Sequence, residues 1–202
     1  VAVVGDGLQI GLVTAQHLGG KYIELNPERG ISRVVLKDAG SSQIDITSAK
    51  RGIEKDLARR DFTMNAMAVN VDCVKEDLSF NKDSILDPYA WYTDLNIGLI
   101  KVVSNTSLID DPARMMRAVR FSTTSNFKIE AKTKQEIKTN SILLRDISIE
   151  RTRDDLLKIL GTDQSYLGLR LMNELGLTKH IIPELDSTKG VMQPKWHFWD
   201  VF

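Results

Sequence analysis

The spacing of hydrophobic residues changes in character about halfway along the chain. In the first half, short apolar runs alternate with polar residues and predict strands at 1–4, 22–25, 32–37, 43–47 and 68–71. Helical patterns at 8–18 and 53–67 and a turn signal at 38–42 separate these strands. In the second half, the apolar spacing predicts helices at 112–123, 131–142, 150–160 and 165–175. The chain is therefore predicted to belong to the α+β class, with a small mixed sheet first and helices after it.

Three arginines recur at three-residue intervals in the segment 110–121. At 100° per residue, Arg114, Arg117 and Arg120 share an arc of roughly 120° on one helix face. Asp111 lies three residues before Arg114, so the two side chains can project together and offer an acceptor beside a donor fork, as needed to read a base edge. Arg117 and Arg120 would then be free to hold phosphates. An amphipathic surface helix with no ligand explains this stretch equally well.

A second charged segment, Arg59-Arg60-Asp61, precedes a run of small and apolar residues. Such a cluster is often a solvated helix end. Asn65, however, lies inside the apolar run, where an unpaired amide would be costly. We therefore expect Asn65 either to cap a local backbone turn or to order the neighbouring arginine and aspartate.

Together, these segments resemble the class II tRNA nucleotidyltransferases (CCA-adding enzymes) and the related bacterial poly(A) polymerases. The family's Arg-Arg-Asp-Phe-Thr-x-Asn-Ala-x-Ala block is matched by residues 59–68, and its acidic-Asp-x-x-Arg block by residues 110–121. Asp87-Pro88-Tyr89 matches the connector, and residues 149–160 match the neck block, with Asp155 replacing a Glu. The resemblance implies a polymerase-beta-like nucleotidyltransferase head at 1–100, an all-helical neck at 101–185 and the start of a tail or further domain at 186–202.

The sequence departs from the family pattern at its beginning. Neither the family's Gly-Gly-x-Val-Arg-Asp segment nor its metal-binding Asp-x-Asp pair is present, and Val1–Gly7 resembles the segment immediately after that pair in relatives. The head is therefore expected to be incomplete at its N-terminus, and no metal ligand is assigned in this chain. By resemblance, Asp45 is expected to be an auxiliary carboxylate near the metals, although the strand pattern alone makes it a solvent-facing residue.

The resemblance implies a template-independent RNA nucleotidyltransferase that adds C and/or A to the 3′ end of tRNA from CTP and ATP, with release of pyrophosphate. The expected cofactor is Mg²⁺, and the expected partners are ATP, CTP and the 3′ acceptor end of tRNA. The expected nucleotide-binding residues are Asp111 and Arg114 at the base, Arg60 and Asp61 at the sugar, and Arg117 and Arg120 at the triphosphate or in support of the pocket. Arg59 and Asn65 are expected to support them. A-only addition, CC-only addition, poly(A) synthesis and binding without catalysis remain open alternatives.

Composition narrows the class of protein further. Among 202 residues, 42% are hydrophobic and 27% charged, and the formal net charge is zero. This balance argues against an indiscriminate nucleic-acid binder, although the arginines of the two blocks can form a local basic cleft. The sequence contains no apolar run long enough to span a membrane. A cytoplasmic location is expected, because a single cysteine suits a reducing compartment. Cys73 is the only cysteine, so no intrachain disulfide can form, and it is predicted to be a buried small residue.

Two further patterns are weaker signals. The segment from Val1 to Gly11 resembles a dinucleotide-binding turn, with Glu24 near the position of a ribose-binding acid, but its Gly-x-Gly-x-x-x-Gly spacing differs from that motif. The aromatic end of the chain contains His197 and Asp200, which resemble a junction to a metal-phosphohydrolase-like extension in some relatives. A metal site there is a minor alternative.

Overall fold

A computed structural model describes residues 1–37 and 42–191, and the chain divides into two units, Val1–Ala58 and Arg59–Phe202. The strands are β1 (Ala2–Val3), β2 (Lys21–Asn26), β3 (Ile31–Val35), β4 (Gln43–Ser48), β5 (Ala68–Val69), β6 (Ile85–Leu86), β7 (Leu99–Ile100) and β8 (Lys128–Ile129). The helices are α1 (Gly7–His17), α2 (Ile53–Leu57), α3 (Tyr92–Asn96), α4 (Ser107–Asp110), α5 (Arg114–Ser125), α6 (Ala131–Asn140), α7 (Ile149–Leu160), α8 (Ser165–Glu174), α9 (Thr178–Ile181) and α10 (Pro183–Asp186). Most of the predicted turn at 38–42, and both His197 and Asp200, lie outside the described residues.

The first unit is a four-stranded mixed sheet covered by α1. The strand order is β1-β4-β3-β2, with β1 parallel to β4 and β3 antiparallel to both of its neighbours. Helix α1 turns Gly7, Gly11 and Ala15 towards the sheet. A Cβ atom at Gly11 would lie 2.1 Å from Ser32 Oγ, so the helix can approach this closely only without a side chain there. The antiparallel pairs do not fit a doubly wound parallel sheet, so the dinucleotide-binding alternative is not supported.

The second unit is built around α5, which packs against α7 and α8. The apolar side of α5 is fully buried, as the helical pattern predicts, at Met115, Met116, Ala118 and Val119. Helix α8 approaches α7 closely at Gly168, where a Cβ atom would lie only 2.4 Å from Ile159 Cγ2. The approach is possible because glycine has no side chain. The arginine face of α5 is therefore fixed in orientation by a packed core on its other side.

The predicted helix at 53–67 is wrong over most of its length. The helix α2 ends at Leu57, and only a short 3₁₀ turn, Thr63–Asn65, follows. Tertiary contacts override the local helical preference here, because Phe62 is fully buried and pairs with Val102 in an isolated bridge. The backbone N–H of Thr63 also donates to the carbonyl of Lys101, at 2.9 Å.

The helical half also differs from the expectation in small details. It is not purely helical, because β8 pairs in parallel with β7 over two residues. Cys73 is exposed rather than buried, since β5 ends at Val69 and a 3₁₀ turn, Val71–Cys73, follows. Of the helices in the described part of the chain, none combines the length and the apolar character needed to cross a bilayer.

Candidate nucleotide-binding site

The carboxylate of Asp61 lies close to the arginines of the second unit and is only 7% exposed. Its Oδ1 accepts from the backbone N–H of Phe62 at 2.8 Å and from Nδ2 of Asn65 at 3.3 Å. Its backbone carbonyl accepts from the hydroxyl of Ser107 at 3.1 Å. Asn65 thus orders the neighbouring aspartate, the second of the two roles expected for it, although Asn65 itself is exposed.

Arg114, the first arginine of α5, binds the backbone of the Arg59–Asp61 segment. Its Nη1 donates to Ser107 Oγ at 2.7 Å and to the carbonyls of Ser107 and Arg60 at 3.2 Å each. Its Nη2 donates to the carbonyl of Arg59 at 2.9 Å. Burial lowers the pKa of Arg114, and the negative charges of Asp111 and Asp61 oppose that shift. Its Nε–H and one Nη2 N–H have no acceptor among the described residues, so they remain available to a ligand.

Asp111 lies just before α5, in an extended conformation with φ −151° and ψ 91°. Its Oδ1 accepts from the backbone N–H of Ala113 at 3.3 Å and from Nη2 of Arg151 at 2.8 Å. Its Oδ2 has no hydrogen-bond partner within the described ranges. No hydrogen bond or ion pair joins Asp111 to Arg114 among the described residues, and Asp111 is not helical. That the two side chains project together as an acceptor beside a donor fork stays a prediction.

Arg117 and Arg120 are not unpaired, as the expectation that they are free to hold phosphates requires, because both contact carboxylates; their role at the triphosphate or in support of the pocket stays a prediction. Arg117 Nη2 lies 2.9 Å from Asp61 Oδ2, and Arg120 Nε lies 2.6 Å from Asp155 Oδ1. Both contacts are close ion pairs with poor hydrogen-bond alignment. The Arg120 guanidinium also covers the ring of Phe121, with its Cζ 4.0 Å from the ring centroid. Arg117 therefore links α5 to Asp61, and Arg120 links α5 to α7.

Asp45 lies in the first unit, on β4, directly opposite Arg33 of β3. Arg33 Nε donates to Oδ1 at 2.6 Å and Nη2 donates to Oδ2 at 2.8 Å. The hydrogen bonds from Arg33 lower the pKa of Asp45. Within residues 1–37 and 42–191, no group of three or more His, Cys, Asp or Glu side chains is placed to hold a metal ion.

Three contributors to the site were missed by the sequence reasoning, namely Ser107, Arg151 and Asp155. Each contacts a predicted residue through tertiary structure, and Arg151 is 40 residues from its partner Asp111. Arg151 and Asp155 lie in the neck block at 149–160, which indicated family membership but named no partner for either residue. The spacing of residues on one helix does not show which side chains of a neighbouring helix will contact them.

Two protein-family models match successive parts of the chain. Residues 16–101 match the "Poly A polymerase head domain", and residues 126–189 match the "Probable RNA and SrmB- binding site of polymerase A". The chain therefore belongs to the family of tRNA nucleotidyltransferases and poly(A) polymerases.

Similar proteins include all three tRNA-adding types. The chain is 33% identical to the A-adding tRNA nucleotidyltransferase of Deinococcus radiodurans over 93% of its length, and 36% identical to the CC-adding enzyme of Geobacter sulfurreducens over 87%. The Thermotoga maritima CCA-adding enzyme complexed with tRNA has a similar structure, with 32% identity and a TM-score of 0.74 over 91% of this chain and 43% of that one. The chain spans about two fifths of the length of the curated relatives it matches, 42% and 39% for the first two.

Proposed function

We propose that this chain is part of a template-independent nucleotidyltransferase that adds C and/or A to the 3′ end of tRNA, using CTP and ATP and releasing pyrophosphate. The observation that carries the proposal is the arrangement before and within α5. There, the Asp111 carboxylate is held through Oδ1, and its Oδ2 has no partner among the described residues. Three residues later, Arg114 has an Nε–H and one Nη2 N–H without an acceptor among those residues. The kinship with A-adding, CC-adding and CCA-adding enzymes supports the proposal.

Base selection follows from the chemistry of these two side chains. Oδ2 of Asp111 would accept a hydrogen bond from the exocyclic amine of cytosine or adenine, and Arg114 would donate to the ring acceptor beside that amine. Guanine and uracil present a carbonyl oxygen in place of the amine, and a carboxylate has no proton to share with it. An unpaired buried polar group costs about 1–3 kcal/mol, so selection against the wrong base by tenfold or more is expected.

Sugar selection is assigned to the Arg60–Asp61 segment. Asp61 would accept from a ribose hydroxyl and so favour ribonucleotides. Arg117 and Asn65 hold the Asp61 carboxylate in place, at 2.9 Å and 3.3 Å. Arg120 and Arg59 are proposed to support the pocket, and contact with the triphosphate is not assigned to either.

We also propose that the enzyme uses Mg²⁺ and lies in the cytoplasm. Nucleotidyltransferases of this family generally depend on divalent metal ions, and Mg²⁺ suits phosphate oxygens because it is a hard cation. Asp45 is proposed to be an auxiliary carboxylate near such an ion. A cytoplasmic location is proposed from the tRNA substrate.

A primer-extension experiment tests the proposed function. The purified protein is incubated with Mg²⁺, α-labelled CTP or ATP, and tRNAs that lack all, two or one of the terminal CCA residues. Label on any of these tRNAs would establish nucleotidyl transfer. The combination of nucleotide and tRNA that reacts would separate CCA, CC-only and A-only addition, and a long A tract would indicate a poly(A) polymerase.

The alternative from another class is a homologue that binds nucleotide or tRNA without catalysis. It predicts binding of CTP and ATP with no label on any tRNA. The absence of both binding and transfer would contradict the proposed function and this alternative together.

A further inference from the structure

The two oxygens of the Asp111 carboxylate are in different environments. Oδ1 accepts from Arg151 of α7 at 2.8 Å and from the N–H of Ala113 at 3.3 Å. Oδ2 has no partner in the part of the chain that the structure describes. We propose that Arg151 is a specificity-determining positioning residue, which fixes the Asp111 carboxylate so that Oδ2 alone reads the base. This inference rests on the proposed function.

Arg151 is the stronger of the two anchors on Asp111. A hydrogen bond between a guanidinium and a carboxylate is charge-assisted, and its 2.8 Å length is normal for that type. The bond from Ala113 is longer than the usual range for a backbone donor. The backbone of Asp111 is extended, and its carbonyl accepts from the N–H of Arg114 at 3.1 Å. These contacts fix the main chain, but rotation about the side-chain bonds still has to be restricted by contacts of the carboxylate itself.

The Arg151–Asp111 pair is placed to affect selectivity more than stability. The side chain of Arg151 is 53% exposed and that of Asp111 25% exposed. Exposed ion pairs contribute little to the free energy of unfolding, because water and salt screen them and two side chains must be ordered. The pair nevertheless limits which way the carboxylate can turn. Discrimination between bases requires this limit, because a carboxylate that rotates can move away from a mismatched carbonyl group.

The position of Arg151 is set by a second contact between the same elements. One turn further along α7, Asp155 forms a buried ion pair with Arg120 of α5, with Nε and Oδ1 2.6 Å apart. Ile159, a further turn along, is fully buried in the core. The packing of α7 therefore fixes the position of the Arg151 backbone, from which the side chain reaches Asp111.

Competition binding to the protein tests the role of Arg151. CTP, GTP, ATP and UTP compete for the site in wild type, Arg151→Ala and Arg151→Lys, and the affinity ratios CTP/GTP and ATP/UTP are measured. We expect Arg151→Ala to lower both ratios about tenfold, which corresponds to the loss of one positioned contact. We expect Arg151→Lys to restore part of the ratio, because it keeps one charged donor without the planar fork. The unfolding midpoint should fall by no more than about 2–4 °C.

The matched control is Arg153→Ala, on the same helix. Arg153 is exposed and has no hydrogen bond or ion pair among the described residues, so its removal should leave both ratios unchanged. Unchanged ratios in Arg151→Ala would overturn the inference. A wild type without preference for CTP over GTP would instead contradict the proposed function.

Discussion

Asp61, Asp111 and Asp155 each pair with an arginine that is distant in the sequence, and these pairs decide what the individual side chains can do. The pattern of α5 correctly predicts that Arg114, Arg117 and Arg120 share one face. It does not predict that Asp61 and Asp155 lie opposite two of them, because helical periodicity describes only one side of an interface. Arg117 and Arg120 are therefore paired rather than free, while their role at the triphosphate or in support of the pocket stays a prediction.

Arg114 is expected to stabilise the fold as well as to contact the base. Replacement by Ala removes the donors that pair with the carbonyls of Arg59, Arg60 and Ser107. Because partly buried carbonyls would lose their partners, Arg114→Ala should lower the free energy of unfolding by about 1–3 kcal/mol. Urea denaturation measures this change, with Arg153→Ala as the exposed arginine control. Equal stabilities for the two variants would show that the bonds of Arg114 contribute nothing measurable.

Asp61 is expected to set the preference for ribose. Asp61→Ala removes the acceptor proposed for a ribose hydroxyl, so the affinity ratio of ATP to dATP should fall towards one, as competition binding would show. Asn65→Ala removes only a 3.3 Å donor to the same carboxylate and should change the ratio less. If Asp61→Ala leaves the ratio at its wild-type value, sugar recognition lies elsewhere.

Some helices and strands follow from the local sequence, whereas others depend on contacts with distant residues. The helices α5, α7 and α8 are predicted within a few residues, because each has an apolar face that repeats at the helical period. The bounds of α1 are also predicted closely, although the face that it buries consists of Gly7, Gly11 and Ala15. The segment 53–67 has a similar pattern but is not one helix, since buried Phe62 and its bridge to Val102 require an extended backbone. The strand predicted at 68–71 is found as β5 over two residues, whereas β6, β7 and β8 are too short to show an alternating pattern.

The contact between α9 and the 3₁₀ segment Ser141–Asp146 is expected to depend on pH. Nε of Arg145 donates to Nδ1 of His180 at 3.2 Å, which requires the neutral imidazole. Burial, followed by the charges of Lys179 and Arg145, lowers the pKa of His180 below its ordinary value of 6.5. The unfolded chain therefore binds more protons just below pH 6.5, so the contribution of His180 is complete above pH 6.5 and is lost as the pH falls through the folded pKa.

Urea denaturation at about pH 7.5 and at about pH 5 would measure this loss in wild type and in His180→Gln. Glutamine keeps an uncharged acceptor near Arg145 and does not titrate. The variant should therefore lose less stability than the wild type between the two pH values. An identical loss in both proteins would show that His180 stays neutral or makes no contribution.

At the scale of the whole molecule, family membership is readable from the sequence but nucleotide specificity is not. Identities of 33%, 36% and 35% to A-adding, CC-adding and CCA-adding enzymes are nearly equal, so overall similarity favours none of these types. The residues proposed to contact the nucleotide all lie in the unit that begins at Arg59, whereas Asp45 lies in the unit Val1–Ala58. Nucleotide binding and transfer should therefore be separable by mutation.

Asp45→Asn is the variant that tests this separation. It should reduce nucleotidyl transfer by about tenfold or more while leaving the CTP/GTP affinity ratio unchanged, because Asp45 is proposed to act on catalysis and not on the base. A loss of fold would not explain that result, since the Arg33–Asp45 pair is exposed and such pairs contribute only about 0.2–1 kcal/mol. The matched control is Arg33→Gln, which breaks the same pair and keeps the carboxylate. If Arg33→Gln reduces transfer as much as Asp45→Asn, the pair has a structural role and Asp45 is not an auxiliary carboxylate.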